Sequence, residues 1–258
     1  MPHCRTAAVP RQTLASGMVV AVLAVLMSLA ACDSSDEPHQ TTAPATNGTA
    51  GSSSVCGAMA RCTPAATADV DGDGADDEIA LGQVNTGRWL LRVLVADGSA
   101  AEYPFDTATS APITSPWHGA AVVDGAPGAE IALLTDLGAH TMWFTVLTYR
   151  DGQLTELGPP PAEAGQAEGW VVDSADSGWL GYTCGRSGPA STLLVTSARR
   201  IDGPSGAEGY DETSVLFGWA GSGWQEISRE TRAYGHADPD THRLAGWNCE
   251  GLPRFARE

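Results

Sequence analysis

The residues best suited to chemistry form a short acidic loop, which reads Asp-Val-Asp-Gly-Asp-Gly-Ala-Asp-Asp over positions 69–77. Ca²⁺ takes several oxygen ligands, and short aspartate side chains on a tightly turning loop can supply many of them. The spacing therefore predicts one calcium site with four carboxylate ligands and one backbone carbonyl ligand: Asp69, Asp71, Asp73 and Asp77, and Ala75. The alternative interpretation is an acidic turn that holds no metal.

A strand, and not a helix, is predicted directly after this loop, from the residues Glu78-Ile79-Ala80-Leu81. The loop is not an EF-hand, because an EF-hand needs a bidentate Glu at its twelfth position and Ala80 stands there. Loop and strand together resemble the FG-GAP or VCBS repeats, whose units carry Asp-x-Asp-x-Asp-Gly-x-x-Asp before a short apolar strand. The resemblance implies a β-propeller-like domain on a cell surface, in which Ca²⁺ stiffens the blade loops.

The sequence also repeats itself at a spacing near 50 residues. Residues 77–81 recur as 129–133, 52 positions later, and residues 122–124 recur as 171–173, 49 positions later. A period of this length with about four strands per unit is typical of propeller blades. We therefore expect β-propeller-like repeats of about 50 residues, in an incomplete or irregular set, with an irregular sandwich as the alternative. Only the first unit keeps its carboxylates, so a single Ca²⁺ is expected.

The apolar runs of the chain predict an all-β fold. Short runs rich in β-branched and aromatic residues are bounded by Gly, Asp or Pro, which is the pattern of strands and hairpins. The predicted strands cover residues 89–95, 141–149, 193–196, 214–219 and 224–227, with Asp-Gly turns at 97–98 and 151–152. Only residues 162–168 and other short pieces favour a helix.

The N-terminal residues predict export. Arg5 and Arg11 precede an apolar segment at 18–29, which is too short for a comfortable membrane span. The run Leu29-Ala30-Ala31-Cys32 resembles a bacterial lipobox, which implies a lipoprotein signal peptide at 1–31 and acyl chains on Cys32. We therefore expect a protein anchored to the cell membrane on its extracytoplasmic face. An ordinary signal peptide that ends near a cysteine is the alternative.

Composition divides the rest of the chain into a linker and one domain. Residues 32–55 have almost no large apolar side chain, so they are predicted to be a flexible tether. Residues 56–258 are expected to form one all-β repeat domain, because about 200 residues suffice for a single core and are too few for two. The predicted function is a calcium-stabilised binding or scaffold domain for an unidentified protein or glycan.

The charge of the chain argues against nucleic acid as a partner. The sequence holds 31 acidic and 14 basic residues, for a formal net charge of −17, and loss of Arg5 and Arg11 with the signal peptide makes it −19. Such a body is repelled by phosphate backbones. Solubility is the simplest role for most of this charge.

The cysteines predict disulfides in an oxidising compartment. Four of the six remain once Cys4 is removed with the signal peptide and Cys32 is lipidated, and an even number in an exported chain is typical of disulfide bonding. Four cysteines allow three pairings, of which we expect Cys56 with Cys62 and Cys184 with Cys249. A zinc site is the rival interpretation, but no Cys-x-x-Cys or close His-Cys pair supports it.

No motif in the sequence identifies an enzyme. The chain lacks Gly-x-Ser-x-Gly, His-Glu-x-x-His, a phosphate-binding P-loop and a dinucleotide fingerprint. A second hypothesis is an envelope hydrolase that uses Asp238 and Asp240 near His236, in a run that ends at His242. A solvated loop is the simpler explanation of that run. A structural domain that holds no metal is a third possibility for the whole protein.

Overall fold

A computed structural model describes residues 54–110, 112–161, 169–187, 190–202, 208–235 and 242–255. Within these ranges the chain forms fourteen β-strands, which confirms the all-β prediction, and contains no helix that could cross a membrane. The expected signal peptide, Cys32, residues 162–168, and His236 with Asp238 and Asp240 lie outside the described residues. The strands are β1 (Cys62–Ala68), β2 (Asp77–Asn85), β3 (Arg88–Leu94), β4 (Ala100–Asp106), β5 (Trp117–Ala121), β6 (Glu130–Leu137), β7 (Thr141–Arg150), β8 (Gln153–Glu156), β9 (Trp170–Ala175), β10 (Gly178–Ser187), β11 (Ala190–Asp202), β12 (Glu208–Trp219), β13 (Trp224–Gly235) and β14 (Gly246–Asn248).

The strands form two sheets. The first has the order β1-β2-β3-β4, and the second has the order β13-β12-β11-β10-β9-β7-β6-β5, with β8 paired to β7 and β14 to β10. Within the second sheet, β5 to β8 repeat the connectivity of the first sheet, because each strand pairs antiparallel with the next one along the chain. We call β1–β4 the first meander and β5–β8 the second meander.

The predicted hairpins form where the turn residues place them. Asp151 and Gly152 join β7 to β8 with φ values of 52° and 78°, the positive values that a two-residue hairpin turn requires. Between β12 and β13, the N–H of Ala220 donates to the carbonyl of Gly223 at 3.0 Å and closes a Gly-Ser-Gly turn. Local sequence is therefore enough to set these turns.

The strands that begin at the repeated residues 171–173 do not form a separate sheet. β9 pairs with the start of β7, at Thr141–Phe144, whereas β8 pairs with its end, at Leu147–Arg150. One edge of β7 is thus divided between two strands, and β9 to β13 extend the second meander into a continuous sheet. Propeller blades are separate four-stranded sheets, so the propeller arrangement remains a prediction.

The first meander packs face to face against the second. One hydrophobic cluster contains Ile79 of β2 and Ile131 of β6, while the next residue of β6, Ala132, belongs to a second cluster with Trp247. β6 is therefore buried on both faces, which explains why its sequence is a continuous apolar run and not an alternating one.

The C-terminal segment closes the second cluster. β14 pairs in parallel with β10, and Trp247, which is 1% exposed, contacts the rings of Tyr182 and Trp170 with centroids 4.8 and 5.5 Å away. A disulfide between Cys184 and Cys249 joins β10 to the residue directly after β14. The last described residues are thus held by a strand, an aromatic contact and a covalent bond.

The segment before β1 is also closed by a disulfide, between Cys56 and Cys62. The two bridges have the pairing expected from the sequence. Val55, the last residue of the expected tether, is 3% exposed and packs with Ala80 and Leu94 on the far side of the first meander. The packed domain therefore includes Val55.

Candidate calcium loop and its counterpart in the second meander

Three carboxylates of the acidic loop converge between β1 and β2. Asp69, Asp71 and Asp77 each present an oxygen atom within 4.8 Å of the others. Two oxygens bound to one Ca²⁺ at about 2.4 Å lie at most about 5 Å apart, so this spacing fits a shared cation. Because all three donors are carboxylates, they suit a hard cation such as Ca²⁺ better than a soft one.

Backbone N–H groups hold these carboxylates in place. Asp69 accepts hydrogen bonds from the N–H groups of two loop glycines, at 2.7 and 3.0 Å. Asp77 is fully buried and accepts from the N–H groups of Val70 and Ala96, at 2.9 and 3.0 Å. A carboxylate has about four lone-pair sites, so these bonds leave capacity for a cation. The loop is thus preformed.

The loop also carries unbalanced negative charge. The N–H of Asp73 stabilises the Asp71 carboxylate, but desolvation and repulsion from Asp77, Asp73 and Asp69 outweigh this bond and raise the pKa of Asp71. Among the described residues, no basic side chain forms an ion pair with the three converging aspartates. A bound cation would relieve the repulsion.

The other two predicted ligand residues lie beside this cluster. Asp73 is exposed and is not one of the three residues whose oxygens converge. Its Oδ1 accepts a hydrogen bond from the N–H of Ala75 at 2.7 Å. The fold therefore brings together three of the four predicted carboxylates, and Ala75 takes part as a donor to Asp73.

The acidic loop is docked on the loop between β5 and β6. The N–H of Ala129 donates to the carbonyl of Asp69 at 2.8 Å. Gly128 has a φ of 98°, and a Cβ on it would lie 2.3 Å from the carbonyl oxygen of Val70. Only glycine fits such a close approach between two backbones. The predicted calcium loop thus forms part of the junction between the two meanders.

The β5–β6 loop repeats the hydrogen bonds of the acidic loop. In the acidic loop, the N–H of Val70 donates to the carboxylate of Asp77, the first residue of β2, at 2.9 Å. In the β5–β6 loop, the N–H of Val123 donates to the carboxylate of Glu130, the first residue of β6, at 2.7 Å. In each loop a second aspartate accepts a hydrogen bond from the N–H of the residue two positions later. The distances are 3.0 Å for Asp71 and 2.7 Å for Asp124. The equivalent residues, each 53 positions apart, are Val70 and Val123, Asp71 and Asp124, Gly72 and Gly125, and Asp77 and Glu130.

An arginine side chain contacts both carboxylates of the β5–β6 loop. Arg150 Nη2 lies 3.2 Å from Glu130 Oε1 and 3.5 Å from each carboxylate oxygen of Asp124. Burial and the neighbouring Asp124 carboxylate raise the pKa of Glu130 to about 7, against two backbone N–H groups and Arg150, which lower it. The guanidinium is therefore the cation of this cluster.

Sequence reasoning missed both Glu130 and Arg150. The repeated Ile-Ala-Leu residues align Asp77 with Ala129, one position away from its structural counterpart Glu130. For Arg150, the only signal is its place directly before an Asp-Gly turn, where Ala96 stands in the first meander.

A cleft runs between β1 and β5. Two cavities of about 540 and 380 Å³ share Ser115 and Trp117 among their lining residues. His118 lines the larger cavity, and burial lowers its pKa to about 4 despite a hydrogen bond to the Pro253 backbone. Its Nε2 has no hydrogen-bond partner among the described residues. The cleft is thus lined by an indole and an uncharged imidazole, and the Arg61 side chain lines its smaller cavity.

The hydrolase hypothesis rests mainly on residues outside the described ranges. Of its histidine and aspartate run, only His242 is described, and its ring packs near those of Trp179 and Tyr210 with centroids 6.0 and 5.2 Å away. These contacts place His242 in an aromatic cluster.

No family model, curated protein or solved structure gives a significant match to this chain. Its function must therefore be inferred from the chemistry of its own residues. The acidic loop, the junction that it forms and the cluster around Arg150 are the features from which such an inference can start.

Proposed function

We propose that this protein is an exported lipoprotein, anchored to the membrane through Cys32, whose β-repeat domain is a binding or scaffold module stabilised by one Ca²⁺. The observation that carries the calcium part is the convergence of Asp69, Asp71 and Asp77 in a loop docked between two meanders. A cation in this loop would stiffen the junction, because the docked loop touches the second meander through its backbone.

The residues of the loop fit such an ion. Asp69, Asp71 and Asp77 would hold it, and Asp73 is the fourth expected carboxylate ligand. When bound, Ca²⁺ supplies positive charge and additional oxygen coordination. The chain contributes preorganisation, since Asp77 and Asp69 are each fixed by two backbone N–H groups before any ion arrives.

The two meanders support the repeat part of the proposal. They share strand connectivity and loop hydrogen bonds, and their equivalent loop residues are separated by a constant 53 positions. We propose that they are β-propeller-like units of the FG-GAP or VCBS kind. The set of repeat units is irregular, because the strands from β9 to β13 continue the second sheet and do not form a further separate unit.

The cleft between β1 and β5 is the surface that fits a binding role. Its combination of an indole from Trp117, hydrogen-bonding groups such as Ser115 and the guanidinium of Arg61 at the smaller cavity is suited to a polar ligand such as a glycan or a peptide. The net charge of the chain makes nucleic acid an unfavourable partner.

We expect Ca²⁺ to raise the melting temperature of the oxidised protein by several degrees over that in EDTA. A ligand that binds only the native state at 100 times its Kd stabilises it by about 2.7 kcal/mol. Asp71→Asn should lose this shift, because it removes one charged ligand while its side-chain oxygen can still accept the Asp73 N–H. Circular dichroism melts in millimolar CaCl₂ and in EDTA measure the effect.

The matched control for that measurement is Asp97→Asn. Asp97 is exposed and accepts the same type of bond from the N–H two residues later, at 2.7 Å, but it lies outside the cluster. This variant should keep the full calcium shift. Identical wild-type curves in the two buffers would contradict the calcium proposal.

We expect palmitate to label the wild-type protein and not Cys32→Ala when each is produced in a bacterial host fed with radiolabelled palmitate. The reason is that a lipobox cysteine receives its acyl chains at the sulfur and the new N-terminus. Cys4→Ala is the matched control, since Cys4 lies in the segment expected to be removed. Label on Cys32→Ala would place the modification elsewhere and contradict the anchor.

A further inference from the structure

The two sheets have four end strands, and three of these carry features that hinder pairing with another chain. β1 contains Pro64 with a bulge beside it, and β4 contains Pro104. β5 is only five residues long and lies against the C-terminal segment, where a Cβ on Gly251 would come within 2.0 Å of the Ala120 carbonyl oxygen. Proline, bulges, short length and a covering segment all protect sheet edges from a further strand.

The fourth end strand, β13, is long and open. It has 12 residues and no proline, and among the described residues it pairs only with β12. Its residues 225–233 are all exposed. Its one bulge, at Ile227, leaves residues 228–235 in regular pairing with β12. This stretch therefore presents a row of backbone N–H and C=O groups that a further strand can satisfy.

The charge of β13 differs from that of the protein as a whole. The strand contains two glutamates and two arginines and is therefore neutral, whereas the chain has a formal net charge of −17. Most of this acidic surface would repel a second copy of the protein. A neutral edge is a place where two copies can meet without that repulsion.

The order of the charges along β13 favours one register for two copies of the strand. In a symmetric antiparallel pair, residues directly opposite each other point to the same face and lie equally far from the residue on the two-fold axis. With Thr231 on the axis, Glu230 of each copy lies opposite Arg232 of the other. The other opposed pairs in the regular stretch are Thr231 with Thr231, Arg229 with Ala233, and Ser228 with Tyr234.

The neighbouring registers place like charges opposite each other. An axis at residue 229, 230 or 232 opposes two arginines or two glutamates, and an axis at Ser228 opposes Glu226 to Glu230. Like charges directly opposite in a sheet are destabilising, whereas opposite charges and threonine pairs are stabilising. Thr231 also lies near the middle of the regular stretch 228–235, so its register uses nearly all of that stretch.

We propose that this protein forms a two-fold symmetric dimer through β13, in which the second sheets of two copies join into one antiparallel sheet with Thr231 on the axis. The partner is a second copy of the chain, and the two reciprocal Glu230–Arg232 contacts select its register. The charges that protect this edge in other registers complement each other in this one. The dimer is independent of the calcium loop, which lies between β1 and β2.

A cysteine on the two-fold axis tests the register in the full-length protein. Thr231→Cys should give a disulfide-linked dimer on non-reducing gels after oxidation with copper phenanthroline. Opposed Cα atoms in an antiparallel pair lie about 4.5 or 5.5 Å apart, which a disulfide can span. Ala233→Cys is the matched control, because its two copies would lie about 14 Å apart. Equal cross-linking of the two variants, or none with Thr231→Cys, overturns the proposal.

Charge reversal tests the contacts beside the axis. In sedimentation of the full-length protein in a non-denaturing detergent, the wild type should be a dimer. Glu230→Arg and Arg232→Glu should each dimerise about tenfold more weakly or worse, because each variant opposes two pairs of like charges. A mixture of the two variants should form a heterodimer, in which opposite charges face each other at both contacts. Glu78→Arg, at an exposed position of β2, is the matched control and should dimerise like the wild type.

The same measurement can overturn the proposal in three ways. These are a wild-type protein that stays monomeric, a dimer that both reversals leave intact, and a mixture that forms no heterodimer. The Arg232 guanidinium packs over the Tyr234 ring at 4.3 Å, so Arg232→Glu also removes a contact within the monomer. If that variant does not fold, Glu230→Arg and the Thr231→Cys cross-link decide the question.

Discussion

Gly128→Ala is expected to lower the free energy of unfolding by about 2 to 5 kcal/mol. Part of this loss is the strain of placing alanine at a φ of 98°, and a further share of about 1 to 3 kcal/mol comes from overpacking. The added Cβ would lie 2.3 Å from the Val70 carbonyl oxygen, so the two docked loops must separate. Urea unfolding followed by tryptophan fluorescence measures the change.

Gly74→Ala separates backbone strain from the loop contact. Gly74 has a φ of 90°, close to that of Gly128, but a Cβ there would meet no atom within 4 Å. This variant should cost only about 1 to 2 kcal/mol, the strain of the left-handed conformation. Equal losses in the two variants would mean that the contact between the loops contributes nothing to stability.

Replacing both Cys184 and Cys249 by Ser should lower the free energy of unfolding by about 4 kcal/mol. The bridge closes a loop with a sequence separation of 65, and the chain-entropy model gives about 4 kcal/mol for a loop of that size. Trp247, which lies two residues before Cys249, should become more exposed as the C-terminal segment loosens. Guanidinium unfolding under oxidising conditions gives the free energy.

The second disulfide provides the comparison for this measurement. Cys56 and Cys62 are separated by only 6 positions, and the same model gives about 2 kcal/mol for such a short loop. A double Ser variant of this pair should therefore lose about half as much stability. A greater loss from the short bridge than from the long one would contradict the entropic explanation.

Local features of the fold could be predicted from the sequence because they depend on neighbouring residues. The Asp151-Gly152 hairpin follows from turn chemistry, and the strand after the acidic loop follows from the apolar residues at 79–81. The convergence of Asp69 and Asp71 is local as well, since both lie in one tight turn.

Other features depend on contacts between residues that are distant in the chain. The residues of β9 do not indicate that it pairs with the start of β7, because β7 and β9 are both apolar strands and such strands can pair in several ways. The role of Arg150 was equally inaccessible, since Glu130 precedes it by 20 positions and sits one place away from the residue that the sequence repeat aligns with Asp77.

The bridge between Cys56 and Cys62 would have a mechanical consequence if the protein is anchored at Cys32 as proposed. Tension on the residues before 54 would pass through the sulfur atoms directly to the first residue of β1, so the residues between the two cysteines could not extend. Directly before β1, the Arg61 guanidinium donates hydrogen bonds to the carbonyls of Gln83 and Val84 in β2. A pulling force would therefore load two strands together, and the edge strand would not peel away one hydrogen bond at a time.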